Sequence, residues 1–151
     1  MTKSRDSRWT KQEVIEQIRA HILVRRQDVA AIVLFGSFLK REDHEDIDVL
    51  VVVNEMDKSP LERKEEILAM KAGLDLPVDM LLFSRDECVD NFEAHIPLFL
   101  DIAFDGYILY DDGFIAGLMA RTREYVRKKE IERTETGGWR FPVKFRESTL
   151  L

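Results

Sequence analysis

The stretch FGSFLKREDHEDIDVLVV, residues 35–52, decides how the chain is read. It opens on the end of one apolar run, Val29 to Phe35, which Gly36 stops. It closes inside a second apolar run, Ile47 to Val53. Both runs are short, rich in β-branched residues and bounded by polar segments, the pattern of strands covered on both faces. Asp46 and Asp48 stand at the start of the second run, where charge is out of place. At strand spacing they share one face, while Ile47 and Val49 take the other. Side-by-side carboxylates repel and lose hydration. Either a cation lies between them, or the strand frays early and both stay in water. Oxygen donors of this kind suit Mg2+ or Mn2+, ions that also bind triphosphates.

Gly36-Ser37 supplies a complementary half. Glycine lets the backbone turn sharply and approach a ligand closely. The N–H groups that follow can face a phosphate, and Ser37 adds a hydroxyl. Lys40 and Arg41 bring positive charge to the same loop. A Gly-Ser pair alone is an ordinary strand-ending turn; its weight comes from its place between two strands, just ahead of the acidic pair. A third carboxylate, Asp79, is the second residue of another apolar run, Val78 to Phe83. If that strand lies beside 46–53, Asp79 joins the face of Asp46 and Asp48. Three carboxylates on one face can hold two metals and activate an attacking hydroxyl. The first two strands are about ten residues apart, short for a full helical crossover, which leaves their pairing direction open.

Around this centre the chain reads as alternating helices and strands. Thr10 to Glu13 has capping-box form ahead of a helix to about residue 25. Ser59-Pro60 opens a helix to about Ala72, with Gly73 as its stop. Ser84 to Glu87 is another capping box, for a helix to about Phe92. Pro97 starts a helix through Phe104, a short strand follows at Tyr107–Tyr110, and Asp111 or Asp112 caps a helix from about Gly113 to Lys129. Gly137-Gly138 turns a C-terminal hairpin. In its second arm Trp139, Phe141, Val143 and Phe145 alternate with Arg140, Pro142, Lys144 and Arg146. That is one aromatic and one basic face, and Pro142 predicts an edge strand. The aromatic face either packs on the core or meets a partner.

The 151 residues fit one domain over 1–151. Net charge is −6, unevenly spread: residues 1–26 carry +4, residues 121–146 carry +5, and residues 27–120 hold 21 acidic against 7 basic side chains. Such a middle repels phosphate backbones, which disfavours non-specific nucleic-acid binding, and suits a site neutralised by cations. No apolar run is long enough to span a membrane, the first nine residues lack a signal-like core, and a cytoplasmic protein is expected. The lone Cys88 excludes a disulfide framework and a cysteine zinc site. His44 sits in the loop between the first two strands; His21 and His95 have no metal-ligand spacing. Ser37 is outside any Gly-x-Ser-x-Gly elbow, and the loop is not a Walker motif.

Gly36-Ser37, Asp46-Ile47-Asp48 and Asp79, in their strand contexts, resemble the minimal nucleotidyltransferases, small members of the DNA polymerase beta-like superfamily. The likeness in motif covers residues 29–84, and the helix and hairpin at 113–146 are compatible with small stand-alone members. It implies an α/β (α+β) nucleotidyltransferase fold: a small mixed sheet, flanking helices and a C-terminal β-hairpin. It implies that Asp46, Asp48 and Asp79 are catalytic and bind Mg2+ or Mn2+, with Gly36, Ser37, Lys40 and Arg41 at the nucleotide. The implied reaction transfers a nucleoside monophosphate, AMP from ATP in the first instance, to a hydroxyl of a protein or nucleic-acid acceptor. Many such proteins are antitoxins of small helical HEPN-type toxins. Arg41 stands where the family often has a second glycine, which points to the alternative: a nucleotide-binding module of weak or no activity that acts by contact with a partner. The acceptor, the base preference and the oligomeric state are left open.

Overall fold

Seven consecutive apolar residues place Val29–Phe35 (β1) at the centre of the molecule, and all seven are buried. In the computed structural model, which describes residues 10–39, 46–56 and 59–142, β1 is preceded by the helix Lys11–Arg25 (α1). Then follow Ile47–Val53 (β2), Pro60–Lys71 (α2), Val78–Ser84 (β3), Arg85–Glu93 (α3) and Pro97–Asp105 (α4). Tyr107–Asp111 (β4), Ile115–Lys128 (α5) and a hairpin of Glu132–Arg133 (β5) with Trp139–Arg140 (β6) complete the described chain. The main sheet has the order β3-β2-β1-β4. β1 is antiparallel to both its neighbours, and β2 and β3 are parallel. The mixed sheet, the flanking helices and the C-terminal hairpin are the expected α+β architecture.

Side-chain alternation divides the core into two layers. Leu34, Val49, Val51 and Met80 face one side, where α1 lays down Val14, Ile18 and Ile22. Val33, Phe35, Leu50 and Val52 face the other, against α3, α4 and α5. A strand sandwiched in this way has no solvent face, which is why its sequence is continuously apolar. β1 and β2 pair antiparallel, an arrangement that a short link can join without a crossover. Within that link the described residues form a single 3-10 turn, Ser37–Leu39.

The helix starts follow the capping signals. Thr10 and Ser84 both complete reciprocal capping boxes, with Glu13 and Glu87, and Ser59 accepts the Glu62 N–H. α5 is different. Its start is held by Asp111, the last residue of β4, whose carboxylate accepts N–H bonds from Gly113, Phe114, Ile115 and Ala116. Burial alone would raise the Asp111 carboxyl; these four amides outweigh it and hold it below the usual carboxylate range.

The C-terminal arm forms the expected hairpin, and β6 is an edge strand. β5 and β6 pair with each other in a separate two-stranded sheet, and the ladder ends at Arg140. Pro142 has no N–H to extend it. Trp139 and Phe141 pack against Leu100, Val126 and Ile131, so this part of the aromatic face covers α4 and α5. Val143 to Leu151 lie outside the described residues. Among the described residues no helix is long and apolar enough to cross a membrane.

Candidate nucleotide site

The register of the sheet brings the predicted acidic residues together. Phe35 on β1 pairs with Asp48 on β2, and Asp48 pairs with Asp79 on β3. The two carboxylates therefore lie on neighbouring strands, both on the α3–α5 side, in one row across the sheet. Asp46 sits one residue before β2 and is exposed, as is Asp79; Asp48 is half-buried. Burial pushes the Asp48 carboxyl up, and the charges of Asp79 and Asp46 push it further the same way. Among the described residues, none of the three carboxylates accepts a hydrogen bond or faces a cation. The set is thus all hard oxygen acceptors with no internal compensation, a donor chemistry that fits Mg2+ or Mn2+. Among the described residues no group of three His, Cys, Asp or Glu stands in metal-holding geometry.

Gly36 has a role the sequence did not announce. Its φ is +82°, in the left-handed region, and a Cβ there would run into Asp48 Oδ2. The glycine is what lets the half-buried carboxylate lie against the β1–β2 turn. Leu39 N–H donates to the Gly36 carbonyl (3.3 Å), closing that turn, and Phe38 is buried beneath it. Lys11, from the start of α1, donates to the Leu39 carbonyl (3.3 Å) and sits 5.7 Å from the Phe38 ring centre. Ser37 is exposed beside Gly36. Lys40, Arg41 and His44 lie outside the described residues. His21 donates to the Met70 carbonyl (2.9 Å) and His95 stacks on Tyr125 (3.7 Å between centroids), both packing roles.

A cleft of about 260 Å³ opens beside Asp48. Phe35, Gly36 and Asp48 form its sheet wall; Leu98, Asp101 and Asp105 of α4 and Arg133 and Gly137 of the hairpin form the rest. Arg133 is tied to α4: its Nη1 donates to both Asp105 oxygens (3.0 and 3.2 Å), and Nη2 lies 3.6 Å from Asp101 Oδ1. The guanidinium also lies 4.6 Å from the Trp139 ring centre and 5.8 Å from that of Phe104. Trp139 Nε1 donates to Asp101 Oδ1 (3.0 Å). No motif in the sequence marks Lys11, Asp101, Asp105 or Arg133 for the cleft or the turn beside it. For Asp101 and Asp105 the one available signal was their i, i+4 spacing, which puts both on one face of α4.

A small mixed sheet with flanking helices, acidic residues at the starts of adjacent strands and a Gly-Ser turn beside them defines a nucleotidyltransferase fold. The family model described as polymerase beta, nucleotidyltransferase matches residues 16–112, and the chain belongs to that family. Among solved structures it is similar to a tri-AMPylated Shewanella oneidensis HEPN toxin in complex with MNT antitoxin, at 20% identity and a TM-score of 0.50, over 79% of this chain and 88% of that one. It is also similar to a toxin–antitoxin with AMP-PNP, at 18% identity and a TM-score of 0.49, over 77% and 92%. A further similar structure is the toxin–antitoxin MntA-HepT, at 17% identity and a TM-score of 0.47, over 80% and 93%. At such identities the likeness is one of fold. No curated protein sequence matches the chain significantly.

Proposed function

We propose that this protein is a nucleotidyltransferase that moves the monophosphate of a nucleoside triphosphate, ATP in the first instance, onto a hydroxyl of a protein or nucleic-acid acceptor. We further propose that it works in the cytoplasm as the antitoxin of a small helical HEPN-type toxin. The observation that carries the reading is the register pairing of Asp48, which lies against Gly36 and lines the cleft, with Asp79 on the next strand, in a chain of this family. The structure of an AMPylated HEPN toxin with its MNT antitoxin supplies the candidate acceptor class.

In this reading Asp46 and Asp48 hold Mg2+ or Mn2+, with Asp79 completing the set. Ions held there would supply charge neutralisation for the triphosphate and for the transition state of transfer. The Gly36-Ser37 turn, with Lys40 and Arg41, holds the terminal phosphates and fixes the α-phosphorus beside the carboxylates. Asp79, exposed on β3 beside Asp48, takes the proton of the acceptor hydroxyl. The acceptor oxygen bonds to the α-phosphorus, the bond to the β-phosphate bridge breaks, and pyrophosphate leaves.

A second reading has a specific observation behind it. Arg41 stands where the family often has a glycine. That fits a module that binds nucleotide and neutralises its partner by contact. One experiment separates the two: incubation with Mg2+ and ATP labelled at the α- or the γ-phosphate, together with the product of the adjacent gene or with RNA. Transfer predicts α-label in the acceptor, no γ-label, and loss of both transfer and protection in an Asp46→Ala/Asp48→Ala variant. Protection of the partner without any α-label, unchanged in that variant, establishes the contact reading.

A further inference from the structure

The cleft beside Asp48 is a problem for the substrate proposed above. Its described walls carry three carboxylates, Asp48, Asp101 and Asp105, with Asp46 and Asp79 nearby. A triphosphate entering it meets repulsion from two sides. Metal ions relieve the side formed by β2 and β3. On the side formed by α4, the one cation among the described lining residues is Arg133.

We propose that Arg133 is a phosphate-positioning residue: it leaves Asp101 and Asp105 for the nucleotide's phosphates when the cleft fills, and the C-terminal hairpin is thereby part of the nucleotide site. This rests on the nucleotidyltransferase reading and adds a residue to it. Three observations carry it. The guanidinium borders the same cleft as Gly36 and Asp48. Its Nη1 already donates to both oxygens of a carboxylate, at 3.0 and 3.2 Å, and phosphate oxygens can accept in the same way. Its partners are weak holders: the side chains of Arg133, Asp101 and Asp105 are 33%, 42% and 25% exposed, and ion pairs of that exposure contribute little. The rings of Trp139 and Phe104 flank the guanidinium and keep it at the cleft while its partner changes.

The competing account is that Arg133 simply pins the hairpin to α4. The two accounts predict different ATP affinities for the same variant. Titration of the full chain with ATP in Mg2+ gives the affinity, and Trp139 fluorescence with thermal melting reports hairpin packing. If Arg133 is shared between carboxylates and phosphates, Asp101→Asn/Asp105→Asn frees it and tightens ATP about two- to fivefold, despite loosening the hairpin. Arg133→Ala weakens ATP about tenfold or more, and Arg133→Lys recovers part of that loss. AMP, with fewer phosphates, loses less than ATP in Arg133→Ala. Lower melting temperatures in both variants with ATP affinity unchanged would overturn the proposal and leave Arg133 as a pin. Absence of Mg2+-dependent ATP binding in the wild-type chain overturns the nucleotidyltransferase reading itself, and this inference with it. Wild-type binding lost in Asp48→Ala but untouched in Arg133→Ala overturns this inference alone.

Discussion

Asp48 and Gly36 are locked to each other by volume. With a Cβ on residue 36 and the carboxylate where it is, two atoms claim one place. Gly36→Ala therefore suffers twice: about 1–2 kcal/mol for a non-glycine residue in the left-handed region, and a displaced Asp48. Gly113 supplies a control, since its φ is +104° and a Cβ there meets nothing within 4 Å. Gly36→Ala is expected to destabilise by more than Gly113→Ala in urea denaturation, and the excess should vanish in an Asp48→Ala background. An excess that survives Asp48→Ala would show that the clash is not with that side chain. Asp48 itself is placed against stability: it is half-buried, lies beside two like charges and has no donor among the described residues. Asp48→Asn is expected to raise Tm by roughly 2–4 °C while removing the Mg2+-dependent nucleotide binding proposed for the site, the trade common at functional sites. A fall in Tm would mean that the carboxylate is satisfied in some other way. The sequence revealed the oddity of these residues, an acid in an apolar strand and a glycine at its end. It did not reveal their contact, because neither residue's neighbours in the chain encode it.

At the scale of elements, local chemistry was legible where the signal and its target are three residues apart. Thr10, Ser59 and Ser84 cap the helices that follow them, as their spacing indicates. The start of α5 was less legible because its cap is the last residue of a strand, four residues before the helix. The Asp111 carboxyl is held low, so its contribution is fully present above the ordinary aspartate range and is lost as pH falls through its depressed folded value. Asp111→Ala is expected to cost about 1–2 kcal/mol at pH 7. That difference from wild type should shrink as pH falls below about 4. A gap independent of pH between 7 and 2 would assign the effect to packing and not to charge. Alternation fixes which residues of the hairpin share a face, not what covers that face. Trp139 and Phe141 find their cover on α4 and α5.

At the scale of the whole molecule, two core layers meet through one sheet, and Cys88 reports on one of them. It is wholly buried in the layer beneath α3, α4 and α5, and burial pushes its thiol up to about 12. Ellman's reagent at pH 8 should therefore label the native chain no faster than the chain unfolds, with the rate rising with denaturant. Rapid labelling in native buffer would show that this layer opens independently of the other. The sequence by itself determined the elements and the face each side chain takes, because periodicity, caps and β-branching act over a few residues. It also placed three aspartates and a Gly-Ser turn at strand ends. Only the tertiary structure decided that β1 and β2 run antiparallel, that Asp48 falls in register with Asp79, and that Asp101, Asp105 and Arg133 close the cleft. Those residues come from elements tens of positions apart, and what brings them together is the packing of helices onto the sheet, a property that no short stretch of chain encodes.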